Sequence, residues 1–149
     1  MSQLHQLTQF GFRHAGYWSI ESHTQKIKFN ILSTDDLKLT NVIYAFTCSN
    51  EVQYIGKTVR DLKSRLSGYR NPKEGKGGTT TNYGINQEIK KSPSQWDIHL
   101  LHVTSEQLGY GIIDNNTLTI ERFGNIQINL AEGLERSLIR AFTPRHNKL

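Results

Sequence analysis

The spacing of apolar residues changes rhythm several times along this chain, and each change marks the edge of a predicted element. "KIKFNIL" at 26–32 alternates apolar with polar positions, the period of a half-buried strand, and a polar connection, "STDDLKLTN", follows it. "VIYAFTCSNEVQYIGKT" at 42–58 holds two apolar-aromatic runs around a polar gap and predicts a β-hairpin. From Asp61 the period becomes helical: Leu62, Leu66 and Tyr69 share a face until Asn71-Pro72 stops the pattern. "KEGKGGTTT" reads as a glycine- and threonine-rich loop, "NYGINQEIKK" as a second helix, and "WDIHLLHV" at 96–103 as a buried strand. "GIIDNNTLTIERFGNIQINL" alternates around Asn115-Asn116 and again around Gly124-Asn125, a small strand excursion. In the closing segment Leu134, Leu138 and Phe142 form a helical stripe that Pro144 ends. Residues 1–24, with Phe10, Phe12, Tyr17 and Trp18, follow neither period and predict an irregular cap over the sheet.

Register decides what the hairpin presents. Side chains alternate faces along a strand, so Val42, Tyr44 and Phe46 share one face and Val52, Tyr54 and Gly56 another set. A three-residue turn at Ser49-Asn50-Glu51 pairs Cys48 with Val52 and Phe46 with Tyr54, and puts both tyrosines on one face; a two-residue turn separates them. The three-residue turn is the expectation. Gly56 then leaves bare backbone beside Tyr44, where a phosphate or another backbone can come close.

Composition adds bounds. At 149 residues with 36% hydrophobic content the chain fits one domain with one core. No apolar run approaches the roughly 18 residues of a membrane span, and no basic-then-apolar leader is visible, so a cytoplasmic protein is expected. A lone cysteine, Cys48, excludes an internal disulfide and a cysteine-rich zinc site, and the six histidines form no metal-ligand spacing. Trp18 and Trp96 read as core residues.

Charge is uneven. The net charge is +5, and it is concentrated in residues 57–76, where Lys57, Arg60, Lys63, Arg65, Arg70, Lys73 and Lys76 face only Asp61 and Glu74. Elsewhere the two signs balance. A solvated helix face is the ordinary explanation of such a run, but its placement directly after "YIGKT" favours an anionic partner. "GKT" here lacks the upstream glycines of a nucleotide-binding P-loop.

Two separated motifs sharpen that reading. "VIY" is followed after nine residues by "YIGKT", then by an arginine in a helix, and later by Glu135, Leu138, Ile139, Pro144 and Asn147 in the pattern E-x-x-L-I-x-x-x-x-P-x-x-N. In this order the residues resemble the GIY-YIG nucleases, and the preamble with "TTTNYGINQEI" is similar to the small restriction endonucleases among them. The resemblance implies an α/β (α+β) fold: a small, mainly antiparallel three-stranded sheet core of β-hairpin, helix, strand and helix, flanked by helices. It implies a single endonuclease domain over 1–149, with residues 1–40 as an N-terminal cap and 41–149 as the catalytic core. Insertions at 71–95 and 104–130, the latter holding the strand excursion, interrupt that core.

The resemblance also implies roles. Tyr44 is the expected general base, its phenol pKa lowered from about 10 by neighbouring cations, Lys57 and the metal among them. Arg65 matches the arginine that contacts the scissile phosphate, a task suited to a guanidinium fork. It stands eleven residues after Tyr54, one more than in the repair-type pattern, which leaves Arg60 as the alternative. Glu135 corresponds to the carboxylate that holds one Mg²⁺ or Mn²⁺ ion per active site. Tyr54, Tyr69 and Asn147 are expected to orient these groups. Arg60, Lys63, Arg70, Lys73 and Lys76, with Thr79, Thr80, Thr81 and Asn82, are the expected nucleic-acid contacts. The partner implied is double-stranded DNA, cut to 5′-phosphate and 3′-hydroxyl ends. Cutting both strands of a symmetric site favours a homodimer, or sequential nicking by a monomer. A repair or mobile-element nuclease and a catalytically silent nucleic-acid-binding module are the alternatives.

Overall fold

The computed structural model describes residues 2–72, 79–102, 121–123, 126–128 and 130–147. In chain order these form α1 (Gln3–Gln9), β1 (Arg13–Ile20), β2 (Ile27–Ile31), a 3-10 turn (Thr34–Lys38), β3 (Val42–Cys48), β4 (Glu51–Thr58), α2 (Leu62–Arg70) and α3 (Thr79–Lys91). β5 (Trp96–Leu101), β6 (Glu121–Phe123), β7 (Ile126–Ile128) and α4 (Leu130–Phe142) follow. β6 and β7 pair as a separate two-stranded ribbon across Gly124-Asn125, as expected; the Asn115-Asn116 turn lies outside the described residues. No helix among the described residues is long and apolar enough to cross a membrane.

The main sheet has five strands, not the expected three, in the order β2-β1-β5-β3-β4, antiparallel throughout. Of the two added strands, β2 is the one that "KIKFNIL" predicted, whereas β1, like α1, comes from the segment expected to be an irregular cap. β1 escaped the periodicity test because it carries a bulge: the pairing steps from His14↔His99 to Gly16↔Ile98, so Ala15 and Gly16 are buried side by side and the alternation breaks. A Cβ on Gly16 would stand 2.1 Å from the Asn30 carbonyl oxygen, so only glycine lets β2 lie against β1 there.

The β3–β4 turn also differs from expectation. Ser49 and Asn50, at φ +52° and +68°, make a two-residue turn with Cys48 opposite Glu51, not Val52. Taken alone this would split the tyrosines between faces. A bulge at Gln53 restores the offset, so Phe46 still opposes Tyr54 and Tyr44 opposes Gly56.

Alternation along β3 divides the interior in two. Val42, Tyr44 and Phe46 pack with Trp18, Ile98 and Leu100 under Leu62, Leu66 and Tyr69 of α2 and Ile85 and Ile89 of α3. Ile43 and Ala45 pack on the other side with Ile55, Leu101, Leu7 of α1, and Ala131, Leu138, Ile139 and Phe142 of α4. α4 stops where Thr143 turns to φ +41° before the buried Pro144. The chain then runs back along the outer edge of β4, where the Gln53 carbonyl accepts the His146 N–H (3.0 Å). Near the hairpin turn the Val52 N–H donates to the Gln3 side chain (2.9 Å), so tail and α1 both cover that edge.

Candidate active site

β3 and α2 build the centre of the site. Asp61 caps α2 by accepting the Ser64 N–H at 2.8 Å, which fixes the helix phase so that Arg65 and Tyr69, four apart, lie on one face. Tyr44 rises from the sheet to meet them and is fully buried. Arg65 Nε donates to the Tyr44 hydroxyl (2.7 Å) and Nη2 to the Tyr69 hydroxyl (2.9 Å), while the two hydroxyl oxygens share a 2.6 Å hydrogen bond. A closed triangle of one cation and two phenols results. The Arg65 guanidinium also stands 5.0 Å from the Tyr69 ring centroid, within cation–π range. Tyr54 packs against both rings, its centroid 6.3 Å from Tyr44 and 6.2 Å from Tyr69.

Gly56 has a different use from the one its spacing suggested. A Cβ there would sit 2.5 Å from Cζ and the hydroxyl of Tyr44 and 2.8 Å from Tyr54 Cε2, so the bare backbone is occupied by the Tyr44 phenol, leaving no room for an approaching anion. Asn86 is a support that the sequence reading missed. It is buried on α3 and its side-chain amide donates to the Tyr69 carbonyl (2.8 Å), bracing the end of α2. Asn86 and Gln87 both stand between Ile85 and Ile89, so the apolar stripe alone does not single out Asn86.

The electrostatics run against one expectation. Burial raises the Tyr44 pKa above the ordinary phenol value, and the lowering effects of Arg65 and of the Tyr69 hydrogen bond do not cancel it. Tyr69 is raised for the same reason. Burial opposes the charge on Arg65, yet the phenol oxygens of Tyr44 and Tyr69 outweigh it and the guanidinium is held cationic. Lys57 is engaged away from Tyr44. Its ammonium is turned to Glu132 on α4, 3.0 Å away.

Glu135 lies one turn beyond Glu132 on α4, half-buried. Burial raises its pKa against the pull of Lys57 and Arg65. No cluster of three or more His, Cys, Asp or Glu side chains suited to a metal occurs among the described residues. One hard carboxylate, partly withdrawn from water and near two cations that also suit a phosphate, fits an ion that takes its other ligands from water and substrate.

The remaining predicted residues divide. Asn147 stands apart from the triangle, with its side chain spanning the β4 backbone: Oδ1 accepts the Ile55 N–H (2.9 Å) and Nδ2 donates to the Ile55 carbonyl (2.8 Å). Arg60 is exposed and lines, with Lys57, Thr58, Val59, Ser64, Arg65 and Gly68, a cleft of about 350 Å³ beside the triangle. Lys63 is exposed on α2, whereas Arg70 is paired with Glu21. Thr79–Thr81 open α3, correcting the loop assignment, and Asn82 turns inward against α2, with its Oδ1 buried and its Nδ2 on the Gly68 carbonyl (3.5 Å). Lys73, Lys76 and the side chains of Thr79 and Thr80 lie outside the described residues.

Residues 40–105 match the family model of the GIY-YIG catalytic domain. The chain carries a GIY-YIG domain. Two solved structures share the architecture around it. A mutant of bacteriophage T4 EndoII superposes with a TM-score of 0.66 at 20% identity, over 99% of this chain and 100% of that one. The restriction endonuclease HPY188I in complex with product DNA superposes with a TM-score of 0.56 at 12% identity, over 93% of this chain and 79% of that one. No curated protein matches the sequence. Both likenesses extend beyond residues 40–105 of the GIY-YIG domain.

Proposed function

We propose that this protein is a metal-dependent DNA endonuclease of restriction type, which hydrolyses phosphodiesters in duplex DNA at preferred sequences and leaves 5′-phosphate and 3′-hydroxyl ends. The triangle of Arg65, Tyr44 and Tyr69 beside an open cleft carries this reading, because it sets a fixed cation on the wall where a phosphate can enter, with two buried hydroxyls directly behind it. The GIY-YIG match and the two endonuclease neighbours support it.

In this reading Arg65 binds the scissile phosphate and is preferred to Arg60, since only Arg65 is locked to both phenols. Tyr44 is the general base. It accepts from Arg65 Nε and, with Tyr69 as donor, from the Tyr69 hydroxyl, so a phenolate formed on Tyr44 has two donors already in place. Those donors offset part of what burial costs, and Tyr44 serves as base only once its own proton has been lost to solvent. Tyr54 and Gly56 hold the Tyr44 ring, and Asn147 holds the strand that carries them. Glu135 would hold a single Mg²⁺ or Mn²⁺, whose charge would stabilise the phosphate and the departing oxygen. Lys57 lines the same cleft with its charge shared with Glu132.

The test is digestion of supercoiled, linear and single-stranded DNA by purified protein in Mg²⁺, Mn²⁺ or chelator, with Glu135→Ala alongside and the ends sequenced. Discrete duplex fragments that need metal, carry ligatable 5′-phosphates and disappear in the variant are the expected result. Full activity of Glu135→Ala, or cutting that ignores chelator, overturns the assignment.

A further inference from the structure

Thr58 is nearly buried at the end of β4, and its hydroxyl grips Arg60 from both sides: it donates to the Arg60 carbonyl at 3.0 Å and accepts the Arg60 N–H at 3.1 Å. The turn is fixed by this clasp. It holds Val59 outward, 49% exposed, on the wall of the same cleft that Arg65 lines, next to the exposed Arg60. Phe10, exposed to a similar degree, at least meets the Phe142 ring at 5.8 Å, an edge contact. Val59 instead projects from a wall whose other side chains are polar or cationic apart from Gly68, so it supplies the apolar contact of that wall.

We propose that Val59 and Arg60 form a rigid tip that reads base edges of the duplex next to the scissile phosphate. The inference rests on the DNA-cleaving reading above and names its specificity element. A phosphate gives an apolar side chain nothing to contact, whereas a base edge offers both an apolar surface such as the thymine methyl and acceptors for a guanidinium. One β-branched apolar side chain and one guanidinium on adjacent residues therefore match bases better than backbone. The clasp by Thr58 removes the freedom that would blur the discrimination, since the tip is ordered before DNA arrives.

The experiment compares the unmodified protein with Val59→Thr and Arg60→Gln on a library of duplexes randomised around the cut, sequencing the ends to obtain a relative rate for every flanking base pair. Val59→Thr keeps the shape of the side chain and replaces one methyl by a hydroxyl, and thermal unfolding of both variants controls for the fold. The expected result is a change of about tenfold or more in the ratio of rates between favoured and disfavoured bases at one or two positions beside the cut, at different positions for the two variants. An unchanged ratio at every position overturns the inference while leaving the nuclease reading intact. Uniform slowing across all sequences overturns it as well, because that is the signature of a phosphate contact. Absence of any Glu135-dependent cutting by the unmodified protein removes both readings together.

Discussion

The two faces of strand β3 are equally dry and chemically opposite. On one, Tyr44 and Phe46 join Trp18 and Tyr69 in an aromatic cluster with Arg65 hydrogen-bonded at its margin, next to the cleft. On the other, Ile43 and Ala45 lie with Leu7, Leu138 and Phe142 under α1 and α4, and the buried polar groups are Thr47 and His99, bonded to each other at 2.9 Å. Burial alone therefore does not distinguish the site from the scaffold. What distinguishes it is a guanidinium held against two buried phenol hydroxyls, where the other face carries the Thr47–His99 pair.

The largest effect should come from removing the cation of the first face. Arg65→Ala is expected to lower the cleavage rate by about 10³-fold, and Arg65→Lys to recover little, since an ammonium cannot span two phenol oxygens as the guanidinium does. Arg60→Ala with an equal loss in the same assay would shift the phosphate-binding role to Arg60. The second face should respond in the other currency. Phe142→Ala is predicted to lower stability by about 3–5 kcal/mol in urea unfolding while the folded fraction cuts at a near-normal rate. A proportionate loss of specific activity would merge the two faces into one functional unit.

Gly56→Ala probes their boundary. The added methyl meets the ring of a fully buried tyrosine, so Tyr44 must shift; roughly a hundredfold loss of rate with a stability cost of about 1–3 kcal/mol is expected. Retained activity would mean that the Tyr44 position is not critical. The smallest effect concerns His99. Burial, helped by His14 and opposed by Asp97, depresses its pKa from 6.5 to about 4. Between these values the unfolded chain takes up a proton that the folded chain refuses, so stability falls as pH drops from about 6.5 towards 4. His99→Asn should flatten that slope in thermal unfolding, and an unaltered slope would assign it to other groups.

Much of this contrast was legible in the sequence, and the misses share a cause. The helical period of Leu62, Leu66 and Tyr69, the stripe of Leu134, Leu138 and Phe142, and the runs on either side of Ser49-Asn50 each predict an element that the structure contains. β1 was hidden by its bulge at Ala15, and the hairpin reached its expected face through a bulge at Gln53 rather than a longer turn. Bulges are set by pairing with another strand, so a period read within one segment passes over them. At the site, motif order brought Tyr44, Arg65 and Tyr69 together correctly, but the direction of the Tyr44 pKa depends on how deeply α2 and β4 enclose it. Lys57 was expected to assist Tyr44 and instead meets Glu132, a partner about 75 residues away that no local pattern names.

The outer edge of β4 has one last consequence. An uncovered rim strand offers a ladder of amides and carbonyls to any extended peptide, including the same strand of another molecule. Here Gln3, His146 and Asn147 already occupy rungs of that ladder. The residues that steady the strand behind Tyr54 thus also insulate the molecule from its own copies in a crowded solution. Shortening the tail past Pro144 would, on this account, first be noticed as turbidity.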